Sequence, residues 1–266
     1  MHIRSNESDS KSMNKTVPLG TLLEGEHGRV ICYPKYDHEE LQRRIAEMRL
    51  LGATALCFVG EKTVNNLHVL GKGHVGIVIL GCTSSGKVAL KVRRTDADRA
   101  GMEHEAEMLR KANSVSVGPR LLGSTGNLLA MRYIKGLFLP KWIETLGTKE
   151  NAARRVRNTL MNLLEQCWRL DEIGLDHGEL SRAPKHIVVD GNDRPFLLDF
   201  ETASTTRRVS NVTSVCQYLF MTGETARLID RVLGQRSKDR LLFALRAYKR
   251  NRRRESFGAL LRTCLP

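Results

Sequence analysis

Residues 71–78 read Gly71-Lys72-Gly73-His74-Val75-Gly76-Ile77-Val78, a run with the pattern G-x-G-x-x-G-x-V. Glycine triplets of this kind also occur in dinucleotide-binding folds, where a helix must follow them to hold the pyrophosphate. Here β-branched segments follow instead, at 77–80 and 87–92, with the turn Thr83-Ser84-Ser85-Gly86 between them. The run therefore predicts a glycine-rich β-hairpin, in which backbone N–H groups can approach a ligand without an intervening side chain.

The predicted strand at 87–92, which follows the turn Thr83-Ser84-Ser85-Gly86, carries a lysine. Strand alternation places Ala89 and Lys91 on the face opposite Val88, Leu90 and Val92. A small residue beside a lysine suits an adenine ring packed near a cation that holds phosphate. A solvated lysine on an edge strand is the alternative, and the glycine-rich run just upstream favours the phosphate role.

The chain changes character after Gly136. Strand-like segments dominate before it, at 28–34, 55–59, 67–70, 76–80, 88–92 and 127–133, with helices from Asp37 to Leu51 and over 96–112. Helical periodicity dominates after it, most clearly over 149–173, together with a strand pair at 186–189 and 196–200. We therefore expect an α+β fold of two unequal lobes, with a small antiparallel sheet and one helix in the first and a mostly helical second.

The sequence also predicts domain limits. These are a flexible polar tail at 1–16, a strand-helix-strand extension at 17–65, the first lobe at 66–135 and the second at 136–266. We expect the extension to pack on the first lobe and add to its sheet; substrate recognition is the less favoured alternative.

Three glutamates compete for a role in the helix at 96–112. Glu103 and Glu107 are spaced for surface ion pairs along the helix. Glu105 instead shares the apolar face with Met102, and a buried carboxylate needs a partner because burying an unpaired charge is costly. Lys91 is the candidate for that partner.

Over roughly Leu67 to Phe220, the sequence resembles the protein-kinase superfamily. It is most similar in style to the small atypical microbial branch, namely the RIO kinases, the kinase of the KEOPS complex and predicted archaeal serine/threonine protein kinases. The matching segments, in chain order, are Gly71–Val78, Val88–Lys91, Glu105, Met131–Gly136, His177-Gly178-Glu179-Leu180-Ser181 and Leu197-Leu198-Asp199-Phe200-Glu201. All of them in this order form a much stronger signal than any one alone.

The resemblance implies a bilobal protein-kinase-like fold that binds ATP. Lys91, held by Glu105, would contact the α- and β-phosphates, Asp199 would bind Mg²⁺ or Mn²⁺, and Met131 would be the gatekeeper beside adenine. The residues expected to contact ATP are Gly71, Lys72, Gly73, Gly76, Val78, Ala89, Lys91, Met131, Arg132 and Ile134. The expected catalytic residues are Lys91, Glu105, Glu179 and Asp199.

The catalytic loop departs from the family pattern. Glu179 stands where the family has its aspartate base, and it can accept the same proton although it is one methylene longer. The metal-binding asparagine is missing, and His186 occupies the place before the next strand, where an imidazole is a poor substitute because Mg²⁺ prefers oxygen. The expected metal ligands are Asp199, Glu179, which could serve in place of the missing asparagine, and His186, which occupies its position. Glu201 replaces a glycine and could either add a metal ligand or rigidify the segment.

Two functions follow from these residues. The favoured one is an ATP-dependent phosphotransferase, an atypical serine/threonine protein kinase with Glu179 as base, because Lys91, Glu105 and Asp199 occur together. The alternative is a nucleotide-binding pseudokinase, scaffold or slow ATPase acting on an RNA-containing complex. Because only residues 202–210 separate Glu201 from the next helix, we expect the usual activation loop to be absent, which leaves the protein substrate open.

Charge and cysteine usage set the expected surroundings. The net charge of +14 attracts polyanions, and the densest run, Lys249-Arg250-Asn251-Arg252-Arg253-Arg254, predicts contact with RNA or a ribonucleoprotein. A solvated helix end is the alternative. The six cysteines form no C-x-x-C pair, which argues against zinc ribbons and a disulfide scaffold. With no signal peptide and no run of about 20 apolar residues, a cytoplasmic protein without a membrane partner is expected.

Overall fold

The computed structural model of the chain describes residues 16–98, 101–147 and 150–265. The chain divides into two compact units, one formed by residues up to Met102 with Leu122–Met131, the other by Glu103–Leu121 with Arg132 onward. The first unit contains an antiparallel sheet and the second is mostly helical, which confirms the predicted α+β class of a kinase-like fold. The predicted tail, apart from Thr16, lies outside the described residues, and the predicted domain limits stay predictions.

The first unit is built on a sheet with the strand order β1-β2-β6-β7-β9-β8, to which β5 is added through β6. Strands β3 and β4 form a separate antiparallel hairpin. Two helices and the 3-10 turn Leu19–Glu24 belong to the same unit. The elements are β1 (Thr16–Pro18), α1 (His27–Ile31), α2 (His38–Leu50), β2 (Ala53–Cys57), β3 (Lys62–Val64), β4 (Leu67–Val69), β5 (Gly71–Lys72), β6 (Gly76–Thr83), β7 (Gly86–Arg93), β8 (Leu121–Ser124) and β9 (Leu128–Arg132).

Helix α2 forms as its sequence predicts. The Asp37 side chain accepts a hydrogen bond from the N–H of Glu40, 2.7 Å away, and so caps the first turn. Leu41, Ile45 and Met48 follow at helical spacing and are buried in the core of the first unit.

The predicted strand at 28–34 is wrong, because His27–Ile31 is the short helix α1. Val30, Ile31 and Cys32 are all fully buried. The N–H of Cys32 donates to the carbonyl oxygen of Gly28 at 3.2 Å, a bond that closes a helical turn. The β-branched residues favoured a strand locally, but packing in the core prevails over that weak preference.

Buried polar contacts fix the extension to the sheet. Arg44 is fully buried, and its Nη1 donates to the carbonyl oxygens of Ile31 and Arg93 at 2.5 and 2.6 Å. Glu47 accepts from the side chain and the backbone N–H of Asn127, at 2.8 and 3.1 Å. Because β2 also pairs with β6, the expectation that the extension adds to the sheet is confirmed.

The second unit contains seven of the helices in the described residues, a small antiparallel sheet with the order β10-β11-β12, and the 3-10 turn Leu180–Arg182. The predicted helix at 149–173 and the strand pair after it are confirmed, with Lys149 outside the described residues. The elements are α3 (Glu103–Ser114), β10 (Gly136–Phe138), α4 (Leu139–Leu146), α5 (Ala152–Glu172), β11 (Ile187–Asp190), β12 (Pro195–Leu197), α6 (Asn211–Phe220), α7 (Glu224–Leu233), α8 (Lys238–Arg250) and α9 (Arg254–Cys264).

Two details of the second unit differ from the prediction. Helix α3 begins at Glu103 rather than at Asp96, and residues 99–100 of the predicted helix lie outside the described residues. Ile173, the last residue of the predicted helix at 149–173, is 39% exposed because it lies beyond the last residue of α5. None of the helices within the described ranges is long and apolar enough to cross a membrane.

Candidate active site

The predicted glycine-rich hairpin is formed by β5 and β6. Its turn is closed by a hydrogen bond from the N–H of Gly73 to the carbonyl oxygen of Gly76, 2.8 Å away. A Cβ added at Gly76 would lie 3.0 Å from both Cγ of Lys91 and the carbonyl oxygen of Val92. Glycine at this position therefore makes room for the stem of the lysine.

Lys91 lies near the end of β7 and is 5% exposed. The predicted alternation of this strand is confirmed, because Val88, Leu90 and Val92 join the core cluster of the first unit whereas Ala89 and Lys91 do not. A buried ammonium beside a small side chain is the arrangement expected for a cation that holds phosphate next to a flat ring.

The remaining residues expected to contact ATP lie in the hairpin and in the segment Met131–Gly136. Met131 and Arg132 end β9, and Ile134 follows them. The N–H of Arg132 donates to the carbonyl oxygen of Arg120, 2.9 Å away, so its carbonyl group would have to serve adenine. The hairpin residues are Gly71 and Lys72 in β5, Gly73 in the turn and Val78 in β6; their contact with ATP stays a prediction.

Three carboxylates lie together in the second unit. Glu105 on α3 supplies one oxygen, and Asp199 and Glu201, which follow β12, supply one each, all within 4.8 Å of one another. Glu105 is 4% exposed, which confirms its place on the inner face of the helix. Oxygen ligands alone are what Mg²⁺ prefers, so this set fits that ion. Lys91 belongs to the first unit, and its pairing with Glu105 stays a prediction.

The three metal ligands expected from the sequence form a second set around Asp199. Atoms of Glu179, His186 and Asp199 lie within 4.8 Å of one another, and Nε2 of His186 is 3.5 Å from Oε2 of Glu179. An imidazole with two carboxylates suits Mn²⁺ better than Mg²⁺. The structure thus brings the predicted ligands together, and Asp199 is common to both sets.

His177 fastens the loop that carries Glu179. Its ring lies 4.9 Å from that of Phe200, and its Nε2 is 3.0 Å from the carbonyl oxygen of Leu198. Burial, and to a smaller extent the neighbouring His186, lowers the pKa of His177 to about 4. The neutral ring therefore carries its hydrogen on Nε2, because a carbonyl oxygen can only accept. This bond holds the residue that precedes Asp199.

Asp199 has a backbone conformation that is unusual for a residue other than glycine. Its φ is +68°, in the left-handed region, which aspartate tolerates better than most residues. The bend begins two residues after the end of β12 and comes directly before the buried side chain of Phe200. The carboxylate is thus presented by a bend whose following residue is anchored in the core.

A buried aspartate that the sequence reasoning missed fixes the segment after Glu201. Asp176 accepts from Nε of Arg207 at 2.6 Å and from the N–H of Ser210 at 2.8 Å. Arg207 also donates to the carbonyl oxygen of Thr202, and the backbones of Asp176 and Ser204 form an antiparallel bridge. The only signal in the sequence was that Asp176 directly precedes the matched loop.

A second missed network lies behind the same loop. Asp171 accepts from the backbone N–H and the side chain of Asn211, at 2.9 and 2.8 Å, and from the hydroxyl of Tyr248. Asn211 in turn accepts from the N–H of His177 at 2.8 Å. The signal in the sequence was an aspartate four residues after Cys167, at helical spacing from that buried residue of α5.

The basic run is divided between solvent and a packed contact. Arg254 donates to both carboxylate oxygens of Glu165 at 2.7 Å, and its guanidinium lies 4.7 Å from the ring centroid of Trp168. Lys249, Arg250 and Arg253 are exposed. Arg254 therefore fastens α9 to α5, while contact of the exposed cations with RNA stays a prediction.

No protein-family model matches the chain. It is similar in part to the serine/threonine-protein kinase YabT of Bacillus subtilis, with 33% identity over 135 residues. The aligned part covers 46% of this chain and 37% of that relative, so the chain spans little more than a third of the relative's length. This partial likeness indicates a kinase-like relationship, whereas the RIO-like and KEOPS-like branch stays a prediction.

Proposed function

We propose that the chain is an ATP-dependent phosphotransferase, an atypical serine/threonine protein kinase of the RIO-like and KEOPS-like style. The observation that carries the proposal is the convergence of Glu105, Glu179, Asp199 and Glu201 around one carboxylate, that of Asp199, in the second unit. The buried Lys91 beside a glycine-rich hairpin in the first unit supports it. The partial likeness to a serine/threonine-protein kinase supports it as well.

The proposed chemistry requires residues that bind phosphate and residues that bind a metal ion. The N–H groups of the hairpin and the ammonium of Lys91 would bind the phosphates of ATP and offset their negative charge. Asp199, with Glu105 and Glu201, would hold Mg²⁺, which when bound neutralises charge on the phosphates. Phosphoryl transfer mainly requires electrostatic stabilisation and alignment of the reacting groups. Backbone N–H groups, a lysine and metal-binding carboxylates are residue types that can supply both.

Glu179 would act as the base. The bond between the γ-phosphorus of ATP and its bridging oxygen breaks, and ADP leaves as the oxygen of an acceptor hydroxyl forms the new phosphoester. The proton of that hydroxyl would pass to the carboxylate of Glu179. Ser and Thr side chains of a protein are the acceptors that we propose, because the partly similar relative is a serine/threonine-protein kinase.

The proposal is tested with the purified chain, Mg²⁺ and ATP labelled on its γ-phosphate. Label should pass to a protein acceptor or to the chain itself, and Lys91→Met and Asp199→Asn should each lower the rate about a hundredfold or more. Lys87→Met is the matched control, because Lys87 lies exposed on the same strand and should leave the rate unchanged. Absence of ATP binding by calorimetry would contradict the proposal.

One observation favours a second function, a nucleotide-binding pseudokinase, scaffold or slow ATPase. Oε2 of Glu179 lies 3.5 Å from the imidazole of His186, and a carboxylate oxygen turned towards a neighbouring ring is less accessible to an acceptor hydroxyl. In that case ATP binds, no label reaches protein, and Glu179→Gln leaves any release of phosphate unchanged.

The RNA partner is tested separately. Lys249, Arg250, Arg252 and Arg253, changed together to glutamine, should weaken binding of a single-stranded RNA and flatten its salt dependence. Arg254 is kept in this variant because it packs against α5. RNA binding that is unaffected by the substitutions, or that is insensitive to salt, would contradict the RNA contact.

A further inference from the structure

The extension is joined to the strand that carries Lys91 at one particular segment, residues 31–35. The N–H of Thr95 donates to the carbonyl oxygen of Tyr33 at 2.9 Å, and the N–H of Lys35 lies 3.3 Å from Oγ1 of Thr95. Arg44 bridges the carbonyl oxygens of Ile31 and Arg93 just beside them. The backbone around Tyr33 is thus held against the end of β7.

The aromatic ring of Tyr33 contacts two cationic side chains. Nζ of Lys72 lies 4.5 Å from the centroid of its ring, and Cζ of Arg94 lies 5.1 Å from it. Cations at this distance are attracted to the electron-rich face of an aromatic ring. A hydrogen bond from Lys72, followed by its charge, also lowers the pKa of the Tyr33 phenol. Lys72 is the residue between the first two glycines of the hairpin.

Arg94 holds the turn of the same hairpin. Its N–H donates to the carbonyl oxygen of Val75 at 2.8 Å, and its Nη1 donates to that of Gly73 at 3.2 Å. Asp96 accepts from the other side of the guanidinium at 2.8 and 2.7 Å, which fixes its orientation. Tyr33 therefore touches both the strand and the arginine that define the path of the glycine-rich turn.

We propose that Tyr33 is a positioning residue, by which the extension holds the glycine-rich hairpin in the conformation that receives phosphate. Glycine-rich backbone is intrinsically mobile, and ordering it on binding costs affinity. A ring that holds Lys72 and Arg94 before the ligand arrives removes part of that cost. This assigns a role to the segment at 17–65. The contacts of Tyr33 with Lys72 and Arg94 form a clamp on the hairpin that requires no ligand. The effect of this clamp on the affinity for ATP rests on the proposed function.

Hydrogen exchange tests the clamp without any ligand. In the nucleotide-free protein, Tyr33→Leu should speed exchange of the amides at 71–76 by about threefold to twentyfold, the range expected for lost contacts between cations and a ring. Tyr33→Phe keeps the ring and should give a smaller effect. Tyr36→Leu is the matched control and should leave that exchange unchanged, since Tyr36 lies just beyond residues 31–35 and is 45% exposed.

A double-mutant cycle separates the clamp from general loosening. If Lys72 acts through Tyr33, the effects of Tyr33→Leu and Lys72→Met on exchange should be clearly less than additive. Unchanged exchange in Tyr33→Leu, or fully additive effects, would overturn the proposal. Should Tyr33→Leu fail to fold, Lys72→Met alone tests the contact, because loss of the cation should speed exchange of the amides at 71–76 and unchanged exchange would overturn the proposal.

ATP binding then tests the consequence. Tyr33→Leu should raise the Kd for ATP by a similar factor, while kcat at saturating ATP changes little, because the chemical groups are intact. If Tyr33→Leu exchanges faster but the wild type binds no ATP, the proposed function is contradicted and the clamp is supported. If Tyr33→Leu exchanges faster but its Kd for ATP is unchanged, the role of Tyr33 as a positioning residue is overturned.

Discussion

Tyr248 donates its hydroxyl hydrogen to a carboxylate oxygen of Asp171, 2.9 Å away, and both side chains are buried. Asp171 also holds Asn211, which accepts from the backbone of His177. Helix α8 is thereby connected, through three hydrogen-bonding side chains, to the loop that carries Glu179. The contact is structural in itself, but it makes the position of that loop depend on residues near the end of the described chain.

Removal of this hydroxyl should destabilise the fold. Tyr248→Phe keeps the ring but leaves the buried carboxylate with one donor fewer, which should lower the free energy of unfolding by about 1.5–3 kcal/mol. Urea denaturation measures the difference. The free energy of unfolding of Thr263→Val should change by less, because Thr263 bonds to its own helix on the exposed side.

The same bond predicts a dependence on alkaline pH. Burial, and then the charge of Asp171, raises the pKa of Tyr248 far above its ordinary value of 10.0. A pKa that is higher in the folded than in the unfolded chain gives stabilisation that is complete below about pH 10 and is lost as pH rises further. The wild type should therefore lose more stability between pH 9 and 11 than Tyr248→Phe; parallel losses would contradict the assignment.

Two adjacent arginines should differ sharply in their contribution to stability. Arg44 is fully buried and bonds to two carbonyl oxygens and Glu40, so Arg44→Met should cost about 3 kcal/mol or more. The Arg43 side chain is 60% exposed, and Arg43→Met should cost less than about 1 kcal/mol. Equal shifts of the denaturation midpoint would show that the buried contacts of Arg44 contribute nothing specific.

Metal binding should distinguish the two ligand sets. Asp199 belongs to both sets, so Asp199→Asn should weaken the binding of Mg²⁺ and of Mn²⁺ by about tenfold or more, measured by calorimetry of the whole chain. Glu201→Gln should weaken the binding of Mg²⁺. His186→Gln should weaken the binding of Mn²⁺ and leave that of Mg²⁺ unchanged, because imidazole suits the softer ion. The oxygen-only assignment fails if His186→Gln weakens Mg²⁺ more than Glu201→Gln does.

The contact between Asp176 and Arg207 should order the segment at 202–210. Asp176→Asn removes the charge from a carboxylate that is 4% exposed and should destabilise the fold by about 2–4 kcal/mol. Arg207→Met should speed proteolysis within this segment while leaving global stability less affected, because the arginine is 47% exposed. Identical proteolysis of Arg207→Met and wild type would argue that the ion pair has no ordering role.

Local pattern was sufficient for the elements around the hairpin. β-Branched residues on both sides of a short turn predicted β6 and β7, and a cap followed by a 3.6-residue period predicted α2. The burial of Glu105 also followed from its helical face. These features depend on neighbours in sequence, which is the information that a single chain contains.

The remaining features depend on partners that are distant in sequence. Tyr33 meets Lys72, Asp176 meets Arg207, and Asp171 meets Tyr248 77 residues later. No periodicity encodes which of many polar side chains will be brought together, since that is decided by the packing of whole elements. The same reason explains why the sequence left Glu201 between two roles. The fold places it beside Glu105 and Asp199, and its role as a metal ligand stays a prediction.

Strand β2 has a consequence for any attempt to shorten the protein. It covers one side of β6, pairing Cys57 with Leu80 and Leu56 with Gly81. A fragment that starts at Leu67 would bare that row of amide and carbonyl groups, and an open, apolar strand edge recruits strands from other molecules. Such a trimmed version would precipitate or form filaments rather than stay in solution as a folded fragment.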